Sequence, residues 1–324
     1  MKPLAKVVRL GALGDAVIMQ PLLKILKDDG YRVHLHASHS VQRILRHDPN
    51  IERLIIWEEF ETYDETVAEW DRLKGECDLF INLSGGLEDA LLIIEDKPNY
   101  NWSHDKRHKE CNVNYYDFMM AISGYKGKEY IKSKLYFTRK EHRDVQKMLR
   151  KHRDKYIILW SLSGSAYHKV YPYTELVAVE FLERHRDSVI ITVGDTACTV
   201  LEWEHPRTIC KSDKLDIRLA MLMTNYVDLV IGTETGILNA AECYDTPKIM
   251  MLSHSSVENL TKYWQNTTSL HADVPCYPCH QIHFTKESCK LGGSGAPICM
   301  DKIEPESLLK SMETIYYKSL SRVA

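Results

Sequence analysis

The sequence predicts an α/β protein made of two doubly wound halves, and three observations lead there. Short apolar runs alternate with helical stretches, the pattern of parallel sheets covered by helices. The alternation begins at Lys6 and begins again at Tyr156. Loops rich in Gly, Ser and Thr follow the strands, at the end where open parallel sheets take ligands.

Taken in order, Lys6 to Leu10 reads as a strand, followed by Gly11-Ala12-Leu13-Gly14-Asp15 and a helical stretch from Ala16 to about Asp29. Pro21 lies inside that stretch and marks a kink or a break. Tyr31–Ala37, Ile51–Trp57 and Cys77–Leu83 read as further strands, the last ending in Ser84-Gly85-Gly86. Residues 96–134 are polar and irregular, the character of a binding loop or lid. Residues 139–153 read as a basic helix. The second half runs through the strand Tyr156–Trp160, the loop Ser161–Ser165 and the helix Tyr173–His185. The strand Ser188–Val193 and the helix Asp216–Thr224 come next. Then comes the unit around which the half is organised: strand Val227–Ile231, turn Gly232–Gly236, helix Ile237–Tyr244 and a strand from Lys248. Pro305–Leu320 closes the chain as a helix. The expected division is 1–150, 151–304 with a cysteine-rich finger at 275–300, and a C-terminal helix in 305–324 that packs back.

At 324 residues two ordinary domains are expected, and 44% hydrophobic with 27% charged residues is a globular composition. The net charge of −3 gives no global attraction to nucleic acid or acidic membranes. The charge is uneven. Residues 58–78 hold nine acids against two bases, and 139–155 hold eight Lys/Arg against three acids; both read as solvated helix faces. No apolar run is long enough to span a bilayer. With no leader pattern, the expected compartment is the cytoplasm. There the nine cysteines are expected as thiols or metal ligands rather than disulfides.

Four places carry chemistry. Asp15 sits where the first strand hands over to the first helix; a carboxylate there can take a proton from a bound hydroxyl or cap the helix. Ser163-Gly164-Ser165 with Lys169 offers space and charge for an anion, although a surface lysine reads the same way. The strand-to-helix turn at Thr235-Gly236 presents backbone N–H groups of the kind that hold a phosphate, or is a plain connection. Cys276, Cys279, Cys289 and Cys299 have the spacing of a four-thiolate site in a loop with little core of its own, where a metal would be structural. His280 or His283 could stand in for one thiolate.

Together these segments resemble glycosyltransferase family 9, the heptosyltransferase-like enzymes of lipopolysaccharide assembly. The resemblance rests on four stretches in order: Arg9–Asp15 with Pro21, Ser163–Ser165 with Lys169 and Pro172, Glu234–Ala241, and Pro275–Cys279 with Cys289 and Cys299-Met300. Residues between about 84 and 150 carry no match.

The resemblance implies the GT-B architecture, two Rossmann-like doubly wound domains facing a cleft, and an inverting transferase without a catalytic metal. It implies Asp15 as general base. It implies donor binding by Ser163, Gly164, Ser165, Lys169, Glu234, Thr235, Gly236 and Asn239, and structural iron or zinc at the cysteine finger. The implied partners are a nucleotide-diphosphate sugar and an acceptor hydroxyl on a glycan, a protein or DNA. A sugar-nucleotide epimerase or hydrolase, and a non-catalytic metal-finger protein that binds nucleic acid through 139–155, are the competing readings. The family's usual Asp-Thr-Gly is here Glu234-Thr235-Gly236, and its usual histidine is Asn239. The longer acid is expected to reach about 1.5 Å further toward the donor, one C–C bond, which favours a sugar smaller than heptose.

Overall fold

The structure is a computed structural model that describes residues 2–57, 62–84, 102–281 and 289–321. Gly85, Gly86, residues 96–101 and His283 lie outside the described residues. The chain forms two compact units, Met1–Leu92 with Val113–Tyr136, and Ile93–Asn112 with Phe137–Ala324.

The first unit is a four-stranded parallel sheet of β1 (Leu4–Arg9), β2 (Arg32–Ala37), β3 (Arg53–Ile56) and β4 (Leu79–Asn82) in the order β3-β2-β1-β4. β1 lies between β2 and β4 with Ala5, Val7 and Val8 fully buried, as expected of a central parallel strand. The stretch after β1 is two helices, α1 (Leu13–Ile18) and α2 (Gln20–Asp28), joined at Met19. Pro21 sits in the first turn of α2, where its missing N–H costs no helical bond, so the proline marks a break. β3 is preceded by α3 (His39–Leu45), capped by Ser38. The acidic stretch forms α4 (Tyr63–Gly75), which opens with a capping box between Thr62 and Glu65.

The segment expected to be irregular holds two helices. α5 (His104–Cys111) is capped by Ser103 and α6 (Tyr115–Ile122) by Asn114. They belong to different units, α5 to the second and α6 to the first. The cap residues were the available signal; the polar composition of α5 hid its helical character.

The second unit begins with α7 (Arg139–Leu149). Its basic residues are largely exposed, but Glu141 turns inward to a 2.6 Å ion pair with Arg218, and both side chains are at least nine-tenths buried. Six parallel strands follow: β5 (Tyr156–Ser161), β6 (Ser188–Val193), β7 (Thr208–Cys210), β8 (Leu229–Gly232), β9 (Lys248–Met251) and β10 (Thr267–Leu270), in the order β10-β9-β8-β5-β6-β7. The connecting helices include α8 (Thr174–Arg184), α9 (Ile217–Met223) and α10 (Gly236–Glu242). After α11 (Ile298–Asp301), α12 (Pro305–Leu320) packs on α8. Tyr316 of α12 lies against Phe181 and His185 and donates its hydroxyl to Asp187. β7 and β10 are edge strands without an alternating apolar pattern, so no periodicity announced them.

Candidate functional site

In each sheet the strand order reverses beside the first strand of that half, and the candidate residues gather at the carboxyl ends there. In the first unit the point lies between β1 and β4. Arg9, the last residue of β1, is 2% exposed. Its Nη2 donates to Asp15 Oδ2 in a close ion pair and to the Tyr115 hydroxyl at 3.1 Å. Its Nη1 donates to the Leu83 carbonyl beyond β4 at 3.3 Å. Beside it the Leu10 N–H donates to Ser84 Oγ at 2.7 Å, so the exits of β1 and β4 are tied together. Asp15 lies in the first turn of α1 with a quarter of its side chain exposed. The N-cap position is Ala12, with no side-chain cap, so the capping role weighed from sequence is not the one Asp15 plays. Its carboxylate is held from behind by a buried guanidinium and still reaches solvent.

In the second unit the corresponding point lies between β5 and β8. Lys169, in a turn of 3-10 helix after β5, is 7% exposed, and its Nζ donates to the Glu234 carbonyl at 3.1 Å. The lysine stem crosses Gly164 so closely that a Cβ there would lie 2.6 Å from Lys169 Cδ and 3.2 Å from the Glu234 oxygen. Any side chain at 164 would have to displace the lysine stem from this position. Ser163 is half-buried and Ser165 exposed. Thr235 shares a 3.1 Å hydrogen bond with Ser161, which joins the two strand exits, and Gly236 opens α10. Asn239 donates to the Thr235 carbonyl at 3.0 Å, and its buried Oδ1 has no hydrogen-bond partner among the described residues. The eight residues expected at the donor follow these two neighbouring strands, in the loop and 3-10 turn after β5 and in the loop and first turn of α10 after β8.

Glu234 behaves differently from its expectation. Its carboxylate turns into the protein and accepts from the backbone N–H groups of Ser253, His254 and Ser255 at 2.7, 3.2 and 3.3 Å. The Ser253 and Ser255 hydroxyls add bonds of 2.8 Å each. The extra methylene reaches the loop after β9, so it points away from the donor site and does not narrow it. Burial works to raise the Glu234 pKa, but His254, Lys169 and the Ser253 donors outweigh it and hold the group at about 2. Burial pushes His254 itself down to about 3, so the 3.4 Å approach of its Nδ1 to Glu234 joins a neutral ring to a carboxylate. At neutral pH, with the ring uncharged, the Lys169 charge and the N–H and hydroxyl donors of residues 253–255 are what hold the carboxylate.

The exits of β6 and β7 supply groups the sequence reading missed. Thr196 donates its hydroxyl to Asp213 at 2.7 Å, and the Asp213 N–H donates to the Gly194 carbonyl at 3.0 Å, with Asp213 at a φ of 60°. They close the second unit's sheet on the side of β5 away from β8. Gly194-Asp195 was visible after β6; its partner loop was not, because β7 was not.

Cys276, Cys279, Cys289 and Cys299 are free thiols that line one cavity of about 310 Å³. Burial pushes Cys279 and Cys299 up to about 12, so without a cation both stay protonated. Four unbridged sulfurs around one cavity fit a thiophilic metal in kind. Their placement does not amount to a formed site: among the described residues no group of three or more His, Cys, Asp or Glu is arranged to hold an ion. His280 packs toward His108 at 5.8 Å between ring centroids. α5 lies against this segment, with His104 Nε2 at 3.2 Å from the Cys276 carbonyl and Arg107 donating to the Cys279 carbonyl at 3.3 Å.

No protein-family model and no curated protein matches the sequence. Solved structures do match. A glycosyl transferase family 9 protein from Veillonella parvula is 15% identical, covering 98% of this chain and 97% of its own at a TM-score of 0.70. The ADP-heptose lipopolysaccharide heptosyltransferase II of E. coli is 12% identical at a TM-score of 0.68, covering 98% and 99%. The dodecameric iron-containing heptosyltransferase TibC, in complex with ADP-D-β-D-heptose, is 12% identical at a TM-score of 0.63, covering 98% of this chain and 77% of its own. At such identities the likeness is one of architecture, and on that ground the chain has the fold of glycosyltransferase family 9.

Proposed function

We propose that this protein is an inverting glycosyltransferase that moves a sugar from a nucleoside-diphosphate donor to an acceptor hydroxyl. The observation that carries the reading is the buried Lys169 ammonium at the exit of β5, laid across Gly164 and held by one carbonyl of the neighbouring β8 loop. An ammonium placed there with small residues around it is suited to a diphosphate, as a charge needing no rearrangement when the leaving group develops. Ser163, Ser165, Thr235 and Gly236 would complete that contact.

The reaction follows from these roles. The acceptor oxygen attacks the anomeric carbon from the face opposite the diphosphate, and its proton passes to Asp15. The bond from the anomeric carbon to the diphosphate oxygen breaks, and its electron pair leaves with the nucleoside diphosphate. Iron or zinc at Cys276, Cys279, Cys289 and Cys299 would supply folding order to the finger rather than chemistry. The acceptor is a glycan, a protein or, in the manner of DNA-modifying transferases, nucleic acid. No helix among the described residues is long and apolar enough to cross a membrane.

Calorimetry with ADP, UDP and GDP, on protein whose metal content is measured in the same preparation, tests this. One nucleotide should bind, and Lys169→Ala should weaken it about tenfold or more, the loss of a charge-assisted contact. Failure of all three nucleotides to bind would defeat the donor reading. Absence of a transition metal, with four titratable thiols in the finger, would defeat the metal assignment alone.

A further inference from the structure

We propose that Arg9 and Tyr115 are positioning residues for Asp15, forming a three-residue unit that sets the direction of the base. The proposal rests on the transferase reading and deepens it. Tyr115 lies in a part of the chain where the family resemblance is silent, at the start of α6, which the fold returns to the first unit after α5 has gone to the second.

The geometry is that of a clamp. Arg9 belongs to a central strand and is 2% exposed, so its guanidinium cannot relocate without unpacking the sheet. Among its acceptors the planar fork reaches the Asp15 carboxylate in α1, the Leu83 carbonyl after β4 and the Tyr115 hydroxyl in α6. A guanidinium suits this because its donors diverge in fixed directions, whereas a lysine offers one point charge. The ring of Tyr115 is partly buried, and its hydroxyl accepts from the same Nη2 that donates to Asp15. Tyr115 therefore fixes the guanidinium nitrogen on which the carboxylate rests, one step removed from the reacting atoms. Asp15 keeps a quarter of its side chain exposed for the acceptor. A base held within a few tenths of an ångström gains rate from orientation.

The test needs no acceptor, because water can serve as one. Attack by water on the anomeric carbon releases the nucleoside diphosphate and gives a proton to Asp15. Release of nucleoside diphosphate from ADP-heptose and from UDP- and GDP-hexoses is measured for wild type, Asp15→Asn, Arg9→Lys, Arg9→Ala and Tyr115→Phe, with donor KM and melting temperature recorded for each. Tyr115→Phe should lower kcat about tenfold, one hydrogen bond's worth, with KM unchanged. Arg9→Lys should lose more than Tyr115→Phe, and Arg9→Ala about 100-fold or more. Added guanidinium chloride, at millimolar concentration, should recover part of the Arg9→Ala loss and none of the Asp15→Asn loss. Wild-type turnover that is lost in Asp15→Asn but intact in Arg9→Lys and Tyr115→Phe would overturn this proposal and leave the transferase reading standing. Wild type that releases no nucleotide from any of these donors would overturn both. If Arg9→Ala fails to fold, the Arg9→Lys and Tyr115→Phe kinetics decide alone.

Discussion

Each unit places a carboxylate at a strand exit beside the point where its strand order reverses, and the two are treated in opposite ways. Asp15 and Glu234 each follow a central parallel strand at the point where the strand order reverses. Asp15 is held by a side chain, Arg9, and stays partly open. Glu234 is enclosed by three backbone N–H groups and two hydroxyls of residues 253–255 and is 8% exposed. An acid whose acceptor capacity is filled from within the fold holds two loops together; one gripped from behind can meet a ligand. Position at a strand exit thus nominates a residue, and the origin of its hydrogen-bond donors assigns its work.

The largest effect that can break this contrast is on rate. Asp15→Asn keeps an acceptor for Arg9 but removes the base, so turnover should fall roughly 10²–10⁴-fold, far beyond what the lower melting temperature from the lost counter-charge of the buried Arg9 accounts for. Turnover near wild type would make Asp15 a structural acid like Glu234. The next effect is on stability. Glu234→Ala leaves the enclosed donors of residues 253–255 without an acceptor, and chemical denaturation should show a loss of about 3 kcal/mol. Unchanged stability with weakened donor binding would instead make Glu234 a ligand contact and erase the contrast.

The smallest effect sharpens the electrostatics around Glu234. His254 is buried with its pKa lowered to about 3 from 6.5, so between those values the unfolded chain binds a proton that the folded chain does not. The stabilisation of the neutral ring is complete above 6.5 and is lost as pH falls toward 3. At pH 5 this amounts to at most about 2 kcal/mol relative to pH 7. Glu234, lowered to about 2 from 4.5, adds the same sign at lower pH. Thermal melts at pH 7 and pH 5 should therefore show an acid-side loss that His254→Gln reduces. His36 and His280, each lowered to about 4 by burial, would maintain part of the slope. A steeper acid-side loss in His254→Gln would mean that the folded ring is protonated beside Glu234, and an unaltered slope that its pKa is the same folded and unfolded.

What the sequence determined is the part governed by local pattern. Buried parallel strands must be short and apolar, so β1, β5, β6, β8 and β9 were all legible in the sequence, as was the long C-terminal helix. Asp15, Lys169 and Gly164 were legible because handover loops carry few residue types and each has a chemical use. The four cysteines were legible as a set of donors. The tertiary structure alone decided which way side chains turn and which segments meet. The length of Glu234 is visible in sequence; that it reaches Ser253–Ser255 depends on β9 lying beside β8. Tyr115 is far from Arg9 along the chain, and their 3.1 Å contact exists because α6 returns to the first unit while α5 leaves it. Local propensity acts over a few residues and is written in the order of side chains. A hydrogen bond between distant segments depends on how the strands are ordered and where the chain crosses back, and no single stretch contains that.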